Sequence, residues 1–217
     1  MFHIQSVYSV KREELSEEEI IERKLFNVFV FSLPRCGSSM MTHICELLGV
    51  NMIHTSEEKK HDYPQLGKDY HPNETGFYEV TQNMMQNYLK IAGTPYGGCK
   101  MIIPVDNIRF DLVKSLPSKV IMMERNPEEI RQSQNAFYSS GADIAYIRTA
   151  LVQEKLKLKN HKIDHIIVNY RDVIKDTQAT IQRVKDFILS DKDIKAAVDF
   201  VNPDAYRFDA DKITEGL

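Results

Sequence analysis

A short loop of small and basic residues is the segment of this chain best suited to chemistry. The loop, Pro34-Arg35-Cys36-Gly37-Ser38-Ser39, follows the apolar, strand-like run 27–33 and precedes apolar residues at helical spacing that end near Gly49. A strand, a tight turn and a helix start predict an anion site, because backbone N–H groups and the positive end of the helix dipole converge there. Arg35 adds a guanidinium suited to phosphate or sulfate oxygens. The segment therefore resembles a phosphate-binding loop.

A second basic motif follows another predicted strand. The apolar run 119–123 is closed by Arg125, Pro127 suits the first turn of a helix, and Glu128 and Glu129 complement the positive end of that helix. Ser133 would then lie about two turns along that helix. Because ligands of parallel sheets bind at the carboxyl ends of strands, we expect the Pro34–Ser39 loop and Arg125 to face one site.

Two common phosphate-binding classes do not fit the loop. A nucleoside-triphosphate loop needs a Gly-Lys-Ser/Thr ending, whereas Gly37 is followed by Ser38. A cysteine-based phosphatase would need an Arg six positions after Cys36, where Thr42 stands. Cys36 as a reactive thiol at a helix N-terminus stays open as an alternative to a plain loop residue.

The two motifs together resemble those of the sulfotransferase family. The common loop of that family is Pro-Lys/Arg-Ser-Gly-Thr-Ser/Thr, and it binds the 5′-phosphosulfate of 3′-phosphoadenosine 5′-phosphosulfate (PAPS). Its second motif is Arg-Asn/Asp-Pro with a Ser eight residues beyond the Arg, which matches Arg125 and Ser133. The family uses this pair to bind the 3′-phosphate. Weaker similarities are Tyr170-Arg-Asp172, which resembles the family's Tyr-Glu-Asp segment, and Gly76-Phe-Tyr-Glu79.

The resemblance covers roughly residues 27–208 and implies a PAPS-dependent transferase that needs no metal. The co-substrate would be bound by residues of both motifs, namely Arg35, Cys36, Gly37, Ser38, Ser39, Arg125 and Ser133. Arg35 would also act in catalysis, and Lys100 would help to neutralise the sulfuryl group. The acceptor would be a small molecule carrying a hydroxyl or an amine.

The chain departs from the family pattern at the catalytic base. Residues 99–104 align with the Lys-Thr-His-Leu-Pro strand whose His is the family's base, and the His position is Ile102. Glu79 is our first candidate for the base, although a helix-start Glu that complements the dipole is an equal interpretation. Rival candidates lie in the preceding polar segment: His54, Glu57, Glu58, His61 and His71. The glycine-rich segment that closes over PAPS in the family is missing from 202–217.

Three functional hypotheses follow from these motifs. The first is a sulfotransferase, and the second is a relative that binds a nucleotide without turnover. A small-molecule kinase that uses the same loop is a weaker third hypothesis.

Strands are predicted over 27–33, 51–54, 99–103, 119–123 and 163–168, and helices beyond the one that ends near Gly49 are predicted over 80–91, 107–115, 127–138, 143–159, 170–175, 177–189 and 191–201. This alternation of strands and helices predicts an α/β fold. We expect three α/β/α layers around a central parallel sheet of about four to five strands, with the phosphate-binding loop after the first strand. Residues 1–26 are predicted to be a partly helical extension, and residues 27–217 a single domain.

Composition indicates an ordinary cytoplasmic globular protein. The 217 residues are 42% hydrophobic and 27% charged, with a formal charge of −3, so a nucleic-acid surface is not expected. The three cysteines form no metal-ligand or disulfide pattern. No apolar run is long enough to span a membrane, and the N-terminal residues lack a signal-peptide pattern. The oligomeric state is not indicated.

Overall fold

A computed structural model describes residues 15–52, 96–102, 113, 117–138 and 141–205. Its helices are α1 (Glu17–Glu22), α2 (Ser38–Leu47), α3 (Pro127–Tyr138), α4 (Ile144–Asn160), α5 (Tyr170–Lys175), α6 (Thr177–Phe187) and α7 (Lys195–Phe200). Its strands are β1 (Asn27–Ser32), β2 (Asn51–Met52), β3 (Gly97–Ile102), β4 (Ser118–Glu124) and β5 (Asp164–Asn169). The helix predicted over 80–91, and nearly all of that predicted over 107–115, lie outside the described residues.

The five strands form one parallel sheet in the order β2-β3-β1-β4-β5. Helices cover it in a three-layer α/β/α arrangement, which confirms the predicted fold class. All six residues of the central strand β1 are buried, because it has a neighbouring strand on each side and helices pack on its faces. Within the described residues, no helix combines the length and the apolar character needed to cross a membrane.

The strand order brings the two basic motifs together. Strand β1 pairs in parallel with β4, from Asn27 opposite Ser118 to Ser32 opposite Met123. On its other side β1 pairs with β3, where Ser32 lies opposite Ile102. The carboxyl ends of β3, β1 and β4 therefore lie side by side, and the loop after β1 lies next to Arg125 after β4.

The helix boundaries next to these strand ends agree with the sequence prediction. Helix α2 begins at Ser38 after a left-handed Gly37 and ends before Gly49, whose φ is +89°. Helix α3 begins at Pro127 with Glu128 and Glu129 in its first turn. Both starts therefore lie at the carboxyl edge of the sheet.

Three predicted elements differ from the structure by two residues or more at one end. Strand β3 begins at Gly97 and not at Cys99, because Gly97 pairs with Asn51 of β2 and Gly98 pairs with Val28 of β1. Helix α6 ends at Phe187 and not at Leu189, whose φ of +57° is left-handed. The last helix was predicted over 191–201 and covers only Lys195–Phe200; the Asp193 carboxylate accepts the Lys195 N–H at 2.6 Å, in a turn that precedes it.

The predicted helix in the N-terminal extension is present as α1. Ser16 and Glu19 form a reciprocal capping box that satisfies the first N–H groups of this short helix. After α1, the Lys24 carbonyl accepts the Tyr96 N–H at 3.0 Å, and the Phe26 and Tyr96 rings meet edge to face. The segment is thus attached to the start of β3. The division into an extension and one domain stays a prediction.

Gly98 gives a test of the tight packing of β3 on β1. A Cβ added at Gly98 would lie 2.5 Å from the Val28 carbonyl oxygen and 2.7 Å from the Met52 sulfur. Backbone of a central strand cannot move aside cheaply, so Gly98→Ala should lower the free energy of unfolding by about 1–3 kcal/mol. Urea unfolding followed by circular dichroism measures this. An unchanged unfolding midpoint would contradict the packing described here.

Candidate functional site

The loop after β1 is a tight turn that only glycine fits at its centre. Arg35 has a φ of +72° and Gly37 a φ of +83°, so the chain passes through left-handed backbone twice before α2. A Cβ on Gly37 would lie 2.2 Å from Cδ2 of Tyr170. The Tyr170 ring therefore packs directly against the loop backbone, and its own side chain is buried.

The N-terminus of α2 offers hydroxyl groups and carries no nearby carboxylate of its own. Ser38 and Ser39 are its first residues, both are buried, and the first turn has no acidic residue. Lys100 from β3 donates from Nζ to Ser39 Oγ at 3.0 Å, and only 2% of Lys100 is exposed. A buried ammonium beside a helix N-terminus is a strongly anion-attracting arrangement.

Arg125 lies at the end of β4, 6% exposed, in contact with three parts of the protein. Its Nε donates to Glu129 Oε2 at 2.8 Å, and its Nη1 donates to the Arg35 carbonyl oxygen at 3.3 Å. Its Cζ lies 4.5 Å from the centre of the Tyr170 ring, which is a cation–π contact. Arg125 therefore links the second motif to the backbone of the loop.

The Arg35 side chain makes the reverse connection. Its Nε donates to Ser133 Oγ at 3.1 Å, across 98 residues of sequence, and Ser133 is buried in α3. Each motif thus contributes one hydrogen bond to the other. The loop after β1 and helix α3 therefore form one hydrogen-bonded polar cluster.

The structure brings together nearly all the residues that the sequence predicted for the site. The residues at the carboxyl edge of β3, β1 and β4 are Arg35, Cys36, Gly37, Ser38, Ser39, Lys100, Arg125 and Ser133. Glu79, the first candidate for the base, lies outside the described residues, as do its rivals at 54, 57, 58, 61 and 71.

Sequence reasoning missed two residues of this polar cluster, Glu129 and Tyr170. Glu129 had only been assigned to the helix dipole, and Tyr170 only to a family-like segment. The spacing of four residues between Arg125 and Glu129 was a signal for the ion pair. No sequence signal indicated the packing of Tyr170 on Gly37, since the two residues are 133 positions apart.

Cys36 is part of the loop but lacks the properties of a nucleophile. The side chain is fully buried, and burial raises the pKa of the thiol to about 12, although the Arg125 charge and a hydrogen bond from the Leu33 backbone act in the opposite direction. A thiol with this pKa carries almost no thiolate at neutral pH. The interpretation as a small loop residue is therefore favoured.

No cluster of three or more metal-ligating side chains occurs within the described part of the chain. The polar groups at the site are hydroxyl, ammonium and guanidinium donors together with Glu129. A donor set of this kind binds anions.

Comparison with solved structures identifies the fold. The mouse sulfotransferase SULT7A1 complexed with PAP aligns with a TM-score of 0.51 and 16% identity, over 85% of this chain and 67% of that chain. The sulfotransferase domain of the Synechococcus PCC 7002 olefin synthase aligns with a TM-score of 0.47 and 17% identity, over 86% of this chain and 82% of that chain. Retinol dehydratase, in complex with androsterone and inactive cofactor PAP, aligns with a TM-score of 0.45 and 16% identity, over 85% of this chain and 67% of that chain.

Neither protein-family models nor curated protein sequences match the chain. The likeness to SULT7A1 therefore rests on structure and, at 16% identity, shows the fold alone. The chain has the fold found in sulfotransferases, as the resemblance of its motifs implied.

The buried thiols give a prediction about pH. Burial raises the pKa of Cys36, Cys45 and Cys99 from 9.0 to about 12 in each case. Because the unfolded chain then loses these protons first, the free energy of unfolding should decline as the pH rises from about 9 towards 12.

At pH 8, a thiol reagent such as Ellman's reagent should react slowly with the native protein and quickly in denaturant. Rapid native labelling of Cys36 would contradict its assignment as a buried loop residue.

Proposed function

We propose that this protein is a sulfotransferase that moves a sulfuryl group from PAPS to a hydroxyl or an amine of a small-molecule acceptor. The observation that carries the proposal is the pair of contacts that joins the two basic motifs. Arg35 donates to Ser133, and Arg125 donates to the Arg35 carbonyl. A nucleotide with phosphate groups at both its 5′ and 3′ positions would need two such groups of donors side by side.

The donor groups fit such a nucleotide. We assign the backbone N–H groups of 36–39, the hydroxyls of Ser38 and Ser39 and the Arg35 guanidinium to the 5′-phosphosulfate. Arg125 and Ser133 are assigned to the 3′-phosphate. The start of α2 supports this assignment, since a helix N-terminus binds anions through its N–H groups.

When bound, PAPS supplies an activated sulfuryl group, whose sulfur–oxygen bond to the 5′-phosphate breaks as the acceptor oxygen or nitrogen bonds to sulfur. Negative charge then grows at the 5′-phosphate. Arg35, the N–H groups at the start of α2 and the Lys100 ammonium would stabilise this charge, because they are already oriented and partly withdrawn from water. Lys100 is held against Ser39, so its ammonium needs little reorganisation.

The acceptor also needs a group that takes its proton. Ile102 ends β3 at the position of the family's His and cannot do so. Glu79 is our candidate for this role. The loss of the His supports one competing proposal, a relative that binds the nucleotide without turnover. A kinase is less well supported, because the loop lacks the Gly-Lys pair that would hold a triphosphate.

We also propose a cytoplasmic location. All three cysteines are free and buried, which suits a reducing compartment.

Arg125 tests the 3′-phosphate assignment. Arg125→Gln should weaken binding of 3′-phosphoadenosine 5′-phosphate (PAP) by about 10- to 100-fold, because hydrogen bonds to a charged group are lost. Binding of adenosine 5′-monophosphate should change far less, as isothermal calorimetry can measure. Arg131→Gln is the matched control, since Arg131 is a nearby arginine in α3 that pairs with Glu128. Equal losses for the two nucleotides would refute the assignment.

Transfer of labelled sulfate from PAPS to a pool of small hydroxyl and amine compounds tests turnover. The wild-type protein should label at least one acceptor, and Lys100→Met should lower kcat by about 100-fold, since one stabilising charge is removed. Lys119→Met is the control, because Lys119 lies at the opposite end of the sheet, paired with Asp164. PAP binding without any labelled product would favour the non-catalytic relative. Tight binding of ATP-magnesium would favour the kinase.

A further inference from the structure

Glu129 is an almost fully buried carboxylate beside the proposed 3′-phosphate site. It is 1% exposed, and its Oε2 accepts the Arg125 Nε–H at 2.8 Å. A carboxylate next to a proposed phosphate site should repel the phosphate, and burying it costs free energy. Both penalties would be incurred for no functional benefit if Glu129 served only to complement the helix dipole. Glu128, one residue earlier and at the surface, already complements the dipole.

We propose that Glu129 is a positioning residue that orients Arg125 for recognition of the 3′-phosphate. This inference rests on the function proposed above. By holding the Arg125 guanidinium in place, Glu129 would make the site selective for nucleotides that carry a 3′-phosphate.

The contacts of Arg125 explain how the orientation is set. The Tyr170 ring lies 4.5 Å from the Arg125 Cζ and opposes movement of the guanidinium towards the ring. That contact leaves the guanidinium able to turn and slide over the ring. The Glu129 carboxylate on Nε and the Arg35 carbonyl on Nη1 prevent this, because they hold two different nitrogen atoms. The stronger restraint is Glu129, since its bond is shorter and joins two opposite charges.

Helix α3 gives Glu129 the rigidity that the role requires. Arg125 precedes the helix and Glu129 lies in its first turn, so regular helical backbone holds the carboxylate four residues beyond Arg125. Ser133 lies one turn further along the same helix and is bonded to Arg35. One face of α3 therefore carries both the restraint on Arg125 and the second proposed phosphate ligand.

The experiment measures the dissociation constants of PAP and adenosine 5′-monophosphate for the full chain by calorimetry, and takes their ratio as the 3′-phosphate preference. Glu129→Ala should lower this preference at least about tenfold, because the restraint on the guanidinium is lost. Glu129→Gln keeps an oxygen that accepts the Nε–H and should retain most of the preference. Glu128→Ala, the matched control from the same turn, should leave the preference unchanged.

A double variant separates positioning from a general structural role. In an Arg125→Gln background, Glu129→Ala should cause no further loss of preference, because the group it orients is absent. This double variant also removes both members of the buried ion pair, so it avoids the lone buried charge that could unfold Glu129→Ala. Circular dichroism and thermal melting check that each variant is folded.

The outcomes distinguish this inference from the proposed function. If the wild-type protein shows no preference for PAP, the proposed function and this inference are both wrong. If it shows the preference and a folded Glu129→Ala retains or increases it, only the positioning role is wrong. If Glu129→Ala does not fold, the other variants decide. The positioning role is wrong if Glu129→Gln loses the preference for PAP. It is also wrong if the double variant loses more preference than Arg125→Gln alone.

Discussion

The arrangement of this site depends on one buried guanidinium. Arg125 is withdrawn from water at the end of β4, and a buried charge is tolerated only when its N–H groups are satisfied. Glu129 and the Arg35 carbonyl each accept one of these N–H groups, and the Tyr170 ring adds a cation–π contact, so three different elements stabilise the charge. The cost of burying Arg125 thereby fixes where the loop after β1, the start of α3 and the start of α5 lie relative to one another.

That constraint explains the unusual backbone of the loop. The Arg35 carbonyl must face Arg125 while its side chain reaches Ser133, and Arg35 adopts a φ of +72°. Gly37 must then pass beside the Tyr170 ring with no room for a Cβ. The loop is shaped by its neighbours on the sheet as much as by its own residues. This shared geometry favours a ligand that contacts both motifs at once.

The secondary structure around the site could be predicted with good accuracy. The apolar run of β1, the Pro127 helix start and Gly49 as the end of α2 are local signals, and the structure follows them. The misplaced boundaries depended on contacts. Gly98 belongs to a strand because of its close approach to Val28, and the last helix is shortened by a turn at Asp193. Residue propensities contain no information about such neighbours.

The residue types and their spacing predicted an anion site and the strands and helices around it. Arg35 was indicated by the strand, turn and helix start around it, and Arg125 with Ser133 by their resemblance to the second motif of the family. Only the tertiary structure decided that these groups bond to one another, that Lys100 is buried against Ser39, and that Glu129 and Tyr170 restrain Arg125. Pairing and burial depend on the strand order, which brings residues as distant in the sequence as Gly37 and Tyr170 into contact.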